Sequence, residues 1–320
     1  MILVKDEILK ATGATSILAE KAIQSLWSDY GEIKKYDLND GRYPSVIVKH
    51  IYWKERNEHP KGWDSQISHD RKLKSYQIEM NWYQKWAQKS SEYWRIPANY
   101  MTLEEEEELL LIMEDLDAAG FYLRVSPENV TLENAKICLS WLAHFHARFM
   151  GESVEDLWPI GTYWHLDTRP DELKKMNNMA LKRAASAIGE RLNNAKYQTI
   201  VHGDAKLANF CFSEADTVAA VDFQYVGGGC GMKDVAYFIS SCFEENDCEK
   251  YETDLLDYYF NQLEKALEGK FEFKEVKQEW LSLYKYAWAD FYRFLDGWSP
   301  GHWKMNGYSQ RLTNEALSEL

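Results

Sequence analysis

The five cysteines of this 320-residue chain, Cys138, Cys211, Cys230, Cys242 and Cys248, include no Cys-x-x-Cys pair. That absence argues against a zinc site and a disulfide framework, and reduced thiols are expected. His144 and His146 stand only two apart on a predicted helix, so they point in different directions and disfavour joint metal ligation. Positive charge is also scarce: 37 Lys and Arg face 51 Asp and Glu, a net charge of −14. Such a balance provides no general positive field for nucleic acid or an anionic membrane surface, and a neutral or cationic partner fits it better. No apolar run approaches the ~20 residues of a membrane span, and the first seven residues lack a signal-peptide pattern. A cytoplasmic protein with neither nucleic-acid nor membrane partners is expected.

What is present suits a folded chain of two lobes around a cleft. The length exceeds one compact core, and 45% hydrophobic and 14% aromatic residues are ample for packing. Residues 6–21 read as an opening helix, followed by strands over 23–26, 33–38 and 45–52. A turn spanning 27–32 joins the first two strands. Residues 68–89 form a second helix pattern, the acids of 104–108 a solvated turn, and 109–116 a buried strand.

The densest chemistry lies in Val201-His202-Gly203-Asp204-Ala205-Lys206-Leu207-Ala208-Asn209, followed by Val221-Asp222-Phe223. Moving a phosphoryl group from ATP to an alcohol requires an acceptor for the hydroxyl proton and oxygen ligands for Mg²⁺. Asp204 suits the first role. Asn209 can bring an amide oxygen to the metal, Asp222 ends a short apolar strand as a second ligand, and Lys206 can offset charge on the moving phosphate.

On these residues the chain resembles the protein-kinase-like small-molecule phosphotransferases, a group that includes aminoglycoside phosphotransferases, choline and ethanolamine kinases and the ecdysteroid-kinase-like proteins. The resemblance implies an α+β, bilobal protein-kinase-like fold, with a small antiparallel-sheet lobe and a larger, mainly helical one. It implies that residues 1–113 bind ATP, that 114–320 carry catalysis and the acceptor, that Asp204 is the base, and that Asn209 and Asp222 hold Mg²⁺. Gly203 stands where most protein kinases carry Arg, Gln224 replaces the Gly after their Asp-Phe, and no Ala-Pro-Glu segment follows. These departures favour a small-molecule alcohol over a protein acceptor.

Lys49, in Val46-Ile47-Val48-Lys49, occupies the strand position from which a kinase lysine grips the α and β phosphates. Glu79 lies on the helix stripe shared with Tyr76, Trp82 and Tyr83, and an acid on an inward face needs a partner. The two residues resemble the kinase Lys–Glu pair. The resemblance also places adenine recognition on main-chain groups near Met113 and Glu114, and a phosphate-covering loop at 27–32, where only Gly31 remains of a glycine-rich motif. A noncatalytic kinase-fold binder is the rival of a different class, and retention of Lys49, Glu79, Asp204, Asn209 and Asp222 together counts against it.

The large lobe is predicted to open with a helix over 129–150, whose Trp141, Leu142, Phe145 and Phe149 form a core stripe and whose His146 supports the catalytic loop. Residues 151–197 carry a further long helical pattern, and 227–231 read as a flexible activation-segment equivalent. Asp234 is placed to cap the next helix and brace the catalytic loop. Helices over 251–267 and 274–296 follow. The acceptor is expected against residues 288–303, where Trp288, Tyr292, Trp298, Asp290 and Asp296 would suit a cation.

Overall fold

The structure, a computed structural model, describes residues 2–26, 30–53 and 65–320. The chain sorts into two units, one built from Met1–Ser91, Arg95–Leu123 and Cys211–Val221, the other from Glu92–Trp94, Arg124–Phe210 and Asp222–Leu320.

In the first unit, α1 (Val4–Thr12) stops at Gly13, whose φ of +71° makes a left-handed cap and whose N–H donates to the Leu9 carbonyl at 2.8 Å. The helix predicted over 6–21 is therefore much shorter, and the strand predicted over 23–26 begins earlier, as β1 (Ser16–Ser25). Ala, Glu and Lys in this stretch favour helix locally, but pairing with β2 (Gly31–Asn39) overrides that preference. As an edge strand β1 exposes Leu18 and Ile23, and two register shifts break its ladder, an irregularity that discourages pairing with other chains. Residues 27–29 of the expected phosphate-covering turn lie outside the described residues.

β3 (Ser45–Tyr52) falls where the sequence places it. α2 (Ser65–Asn81) continues through a π turn over Trp82–Trp86 and a 3-10 turn over Ala87–Lys89. β4 (Asn99–Glu105) and β5 (Glu108–Glu114) meet in a hairpin, so the turn of the acid run is Glu106 and Glu107 alone, while Glu104, Glu105 and Glu108 end the two strands. The sheet order is β1-β2-β3-β5-β4, antiparallel throughout. Val46 and Val48 join Ile8, Leu110 and Ile112 in one core, each fully buried aliphatic side chain contributing about 1.5–3 kcal/mol. Strand alternation then sends Lys49 to the opposite face.

In the second unit, α3 (Leu132–Phe149) starts at a capping box between Thr131 and Asn134, and Trp141, Leu142, Phe145 and Phe149 are buried as predicted. The helical pattern of 151–197 resolves into α4 (Pro170–Lys175) and α5 (Met179–Asn193). β6 (Thr199–Val201) leads into the candidate catalytic loop, which ends at β7 (Phe210–Phe212); β8 (Val218–Ala220) pairs with β7, and residues 211–221 of this hairpin are counted with the first unit.

Residues 227–229 correct an expectation. They are not a flexible segment but β9 (Gly227–Gly229), antiparallel to β6 and packed against 158–161. Their glycines answer to packing: a Cβ on Gly227 would lie 2.2 Å from the Trp158 carbonyl oxygen. α6 (Met232–Cys242), α7 (Glu245–Leu267), α8 (Phe273–Trp298) and α9 (Gly307–Ser318) complete the unit. Among the described residues no helix is long and apolar enough to cross a membrane.

Candidate active site

The loop from His202 to Asn209 is held by its backbone before any chemistry is considered. Asp234, in the first turn of α6, accepts the His202 N–H at 2.6 Å through Oδ2 and the Gly203 N–H at 2.9 Å through Oδ1. His146 donates from Nε2 to the same carboxylate at 3.1 Å, while its Nδ1 meets the Tyr259 hydroxyl at 2.8 Å. These groups are buried, where every satisfied polar contact rigidifies the network. The bracing roles expected of Asp234 and His146 are thus visible in the bonds they make.

Gly203 has a φ of +80°, and a Cβ there would stand 2.0 Å from the Tyr225 carbonyl oxygen. No side chain fits, which gives a steric reason why this position does not carry the arginine of protein kinases.

Asp204 is 6% exposed and receives three donors. Lys206 reaches Oδ2 at 2.8 Å and the Asn209 amide at 3.1 Å, while the Tyr237 hydroxyl donates to Oδ1 at 3.1 Å. Asn209 also donates to the Asp204 carbonyl at 2.8 Å, which fixes the five-residue spacing as a closed turn. Burial, reinforced by the charge of Asp222, pushes the Asp204 carboxyl above its ordinary range against the pull of Lys206. For Lys206, desolvation is outweighed by the Asp204 charge and hydrogen bond, and its ammonium is held above the ordinary range.

Asp222 follows β8 with a φ of +70°, a left-handed conformation unusual for aspartate. Because the Asn209 amide nitrogen is turned toward Asp204, its oxygen is the atom left to serve as a ligand. Among the described residues no three His, Cys, Asp or Glu side chains form a metal cluster. One carboxylate and one amide oxygen suit Mg²⁺, which keeps waters and substrate phosphates in its shell instead of filling it with protein ligands.

In the other unit, Lys49 and Glu79 meet at 2.5 Å, with side chains 4% and 3% exposed. The Lys49 ammonium also lies 5.6 Å from the centre of the Tyr76 ring. A buried pair of this kind is costly to break, because removing one partner strands the other charge at about 3–5 kcal/mol. Met113 lies opposite Ile47 and Asn99 in the sheet. The Glu114 N–H donates to the Ala98 carbonyl at 2.9 Å, and its carboxylate is clasped by Arg95.

Two acids anticipated for the acceptor are engaged internally. Asp290 binds Arg293 at 2.8 Å and the Trp164 indole N–H at 3.0 Å, and Asp296 accepts the N–H groups of Asn177 and Asn178. Trp288 is buried at 2% exposure, and Trp298 stacks on Phe294 at 5.6 Å. Conversely, Tyr237 and Ser241 were not foreseen: Ser241 Oγ accepts the Leu207 N–H at 2.8 Å. A signal existed, since Asp234, Tyr237 and Ser241 recur at i, i+3 and i+7, one face of α6, and all three bond the loop.

The fold is protein-kinase-like, the architecture of known small-molecule kinases. A family model described as the ecdysteroid kinase-like family matches residues 34–156 and 148–269, and the chain belongs to that family. No curated protein matches it significantly. Solved structures share the fold at low identity. An amicoumacin kinase in complex with AMP-PNP, Ca²⁺ and amicoumacin is 11% identical with a TM-score of 0.55, over 92% of this chain and 86% of that one. The choline kinase LicA from Streptococcus pneumoniae is 11% identical with a TM-score of 0.52, over 99% and 98%. The macrolide 2'-phosphotransferase MphH from Brachybacterium faecium is 11% identical with a TM-score of 0.51, over 98% and 95%.

Proposed function

We propose that this protein is an ATP- and Mg²⁺-dependent phosphotransferase that phosphorylates a hydroxyl group of a small molecule. The observation that carries the reading is the buried Asp204 carboxylate, aimed by Lys206, Asn209 and Tyr237 on a loop braced by Asp234. Asp204 accepts the proton of the acceptor hydroxyl as the oxygen attacks, and Lys206 offsets charge on the phosphoryl group. Asn209 and Asp222 hold Mg²⁺, which when bound neutralises phosphate charge. Lys49, kept in place by Glu79, binds the α and β phosphates, and main-chain groups near Met113 and Glu114 receive adenine. In this reading 1–113 bind nucleotide and 114–320 carry catalysis and the acceptor.

The test is acceptor-dependent ADP release from ATP across a library of small alcohols, with and without EDTA. Turnover that requires both an alcohol and Mg²⁺ supports the reading, and Mg²⁺-independent turnover or phosphorylation of protein substrates alone refutes it.

A further inference from the structure

Lys304 lies just before α9 and takes no part in the scheme above. Its ammonium stands 4.7 Å from the centre of the Tyr237 ring, 5.4 Å from that of Phe291 and 5.5 Å from that of Trp303. Tyr237 is the residue whose hydroxyl donates to Asp204 Oδ1, so one aromatic ring connects the candidate base to this cation. Among the described residues Lys304 has no carboxylate within 4.0 Å; in this it differs from Lys49 and Lys206, which do. Its main chain is fixed, the N–H donating to His302 Nδ1 at 3.2 Å and the carbonyl accepting Ser309 Oγ at 2.8 Å within the capping box of α9.

A lysine near a surface normally runs its stem along apolar groups and places the ammonium in water. Here the half-buried side chain sets its ammonium over three rings, with no carboxylate of the described residues within 4.0 Å. Burial lowers its pKa to about 8, with Asp204 and Cys242 opposing the shift and Lys206 adding to it. His302, on the same segment, is lowered by burial and by Lys304. Desolvation of the cation costs stability that its contacts with the rings return only in part, an arrangement typical of groups kept for binding.

We propose that Lys304 selects the acceptor, and that the acceptor is an alcohol that also carries an anionic group such as a carboxylate. The inference rests on the phosphotransferase reading, because an acceptor hydroxyl within hydrogen-bond reach of Asp204 brings its neighbouring atoms toward Tyr237 and Lys304. It replaces the neutral or cationic acceptor suggested by the net charge of −14. Whole-chain charge is screened over about 8–10 Å in physiological salt, so the nearest group governs recognition.

The test compares matched acceptors: 4-(hydroxymethyl)benzoate, its primary amide and 4-(hydroxymethyl)benzylamine, with parallel acid, amide and amine sets of aliphatic alcohols. Binding is measured by calorimetry and turnover by ADP release, for wild type, Lys304→Met and Lys304→Glu. The acid member should bind best to wild type, Lys304→Met should weaken it roughly 10- to 100-fold with ATP affinity unchanged, and Lys304→Glu should shift preference to the amine. Lys304→Met should melt near the wild-type temperature, since loss of the ring contacts offsets removal of a desolvated charge, and Lys304→Glu, which sets a carboxylate among the same rings and nearer Asp204, should melt lower. Equal or better binding of amide or amine to wild type overturns the inference. So does a variant that lowers kcat with acid affinity intact, or one that loses several degrees of melting temperature with acid affinity intact. Acid binding that depends on Lys304 without turnover of any alcohol upholds this inference and fails the phosphotransferase reading instead.

Discussion

Asp204 and Asp234 are both buried aspartates, and both bond the loop between β6 and β7, yet their surroundings differ in kind. Asp234 spends its oxygens on two main-chain N–H groups and a histidine that is itself anchored to Tyr259. Asp204 is surrounded by three side-chain donors, one of them the Lys206 ammonium with a side chain 38% exposed. Main-chain donors cannot move without moving the fold, whereas side-chain donors can re-aim as a proton or phosphate arrives. Asp234 therefore builds the loop, and Asp204 is the carboxylate that the proposed function uses for chemistry on it.

The strongest way to break this contrast is Asp234→Ala. It leaves the His202 and Gly203 N–H groups and His146 without their acceptor, and a loss of about 3–5 kcal/mol is expected, read as a fall in denaturation midpoint together with lost activity. A variant of normal stability would show that the loop is held by something else. Asp204→Asn should do the opposite, lowering turnover by about 10²-fold or more while the melting temperature and Mg²⁺-ATP affinity stay near wild type. Near-normal turnover would remove Asp204 from the role of base.

Lys49 and Glu79 sharpen the contrast from the other unit, as a buried pair of opposite charges in direct contact. The double variant to Met and Gln should be less damaged in stability and ATP affinity than the sum of the singles, by about 1–3 kcal/mol of coupling. Additive effects, measured by denaturant melts and nucleotide titration, would mean that the contact carries little energy. The smallest expected effect is that of Tyr237→Phe. Losing one neutral donor to Asp204 should reduce kcat only about 2- to 10-fold, since a neutral hydrogen bond contributes about 0.5–1.5 kcal/mol. A loss as large as that of Asp204→Asn would place Tyr237 among the reacting groups.

The contacts of Asp204 with Lys206 and Asn209 and of Lys49 with Glu79 were legible in the sequence because these residues stand at short spacing or on a regular element. Asn209 folds back on Asp204 within five residues, and strand and helix periods send Lys49 and Glu79 inward. The same periodicities gave β3, α3, α7 and α8, whose patterns are long or strongly apolar. Residues 16–21 read as helix because β1 depends on pairing with β2, a contact outside any local window. The strand at 227–229 was hidden for a similar reason, since three glycines carry no side-chain pattern and are fixed only by the backbones of β6 and Trp158.

The sequence by itself determined the family and the meeting of Asp204, Lys206 and Asn209 on one loop, because those residues are close in the chain. Tertiary structure alone decided which acids are spent on the fold. Asp290 is claimed by Arg293 and Trp164 and Asp296 by the N–H groups of Asn177 and Asn178, although the sequence offered both to a cationic acceptor. It also decided that Lys304, one hundred positions after Asp204 in the chain, sits over the ring that touches it. A side chain's partners come from elements brought together only when the core closes, and no local spacing records that meeting.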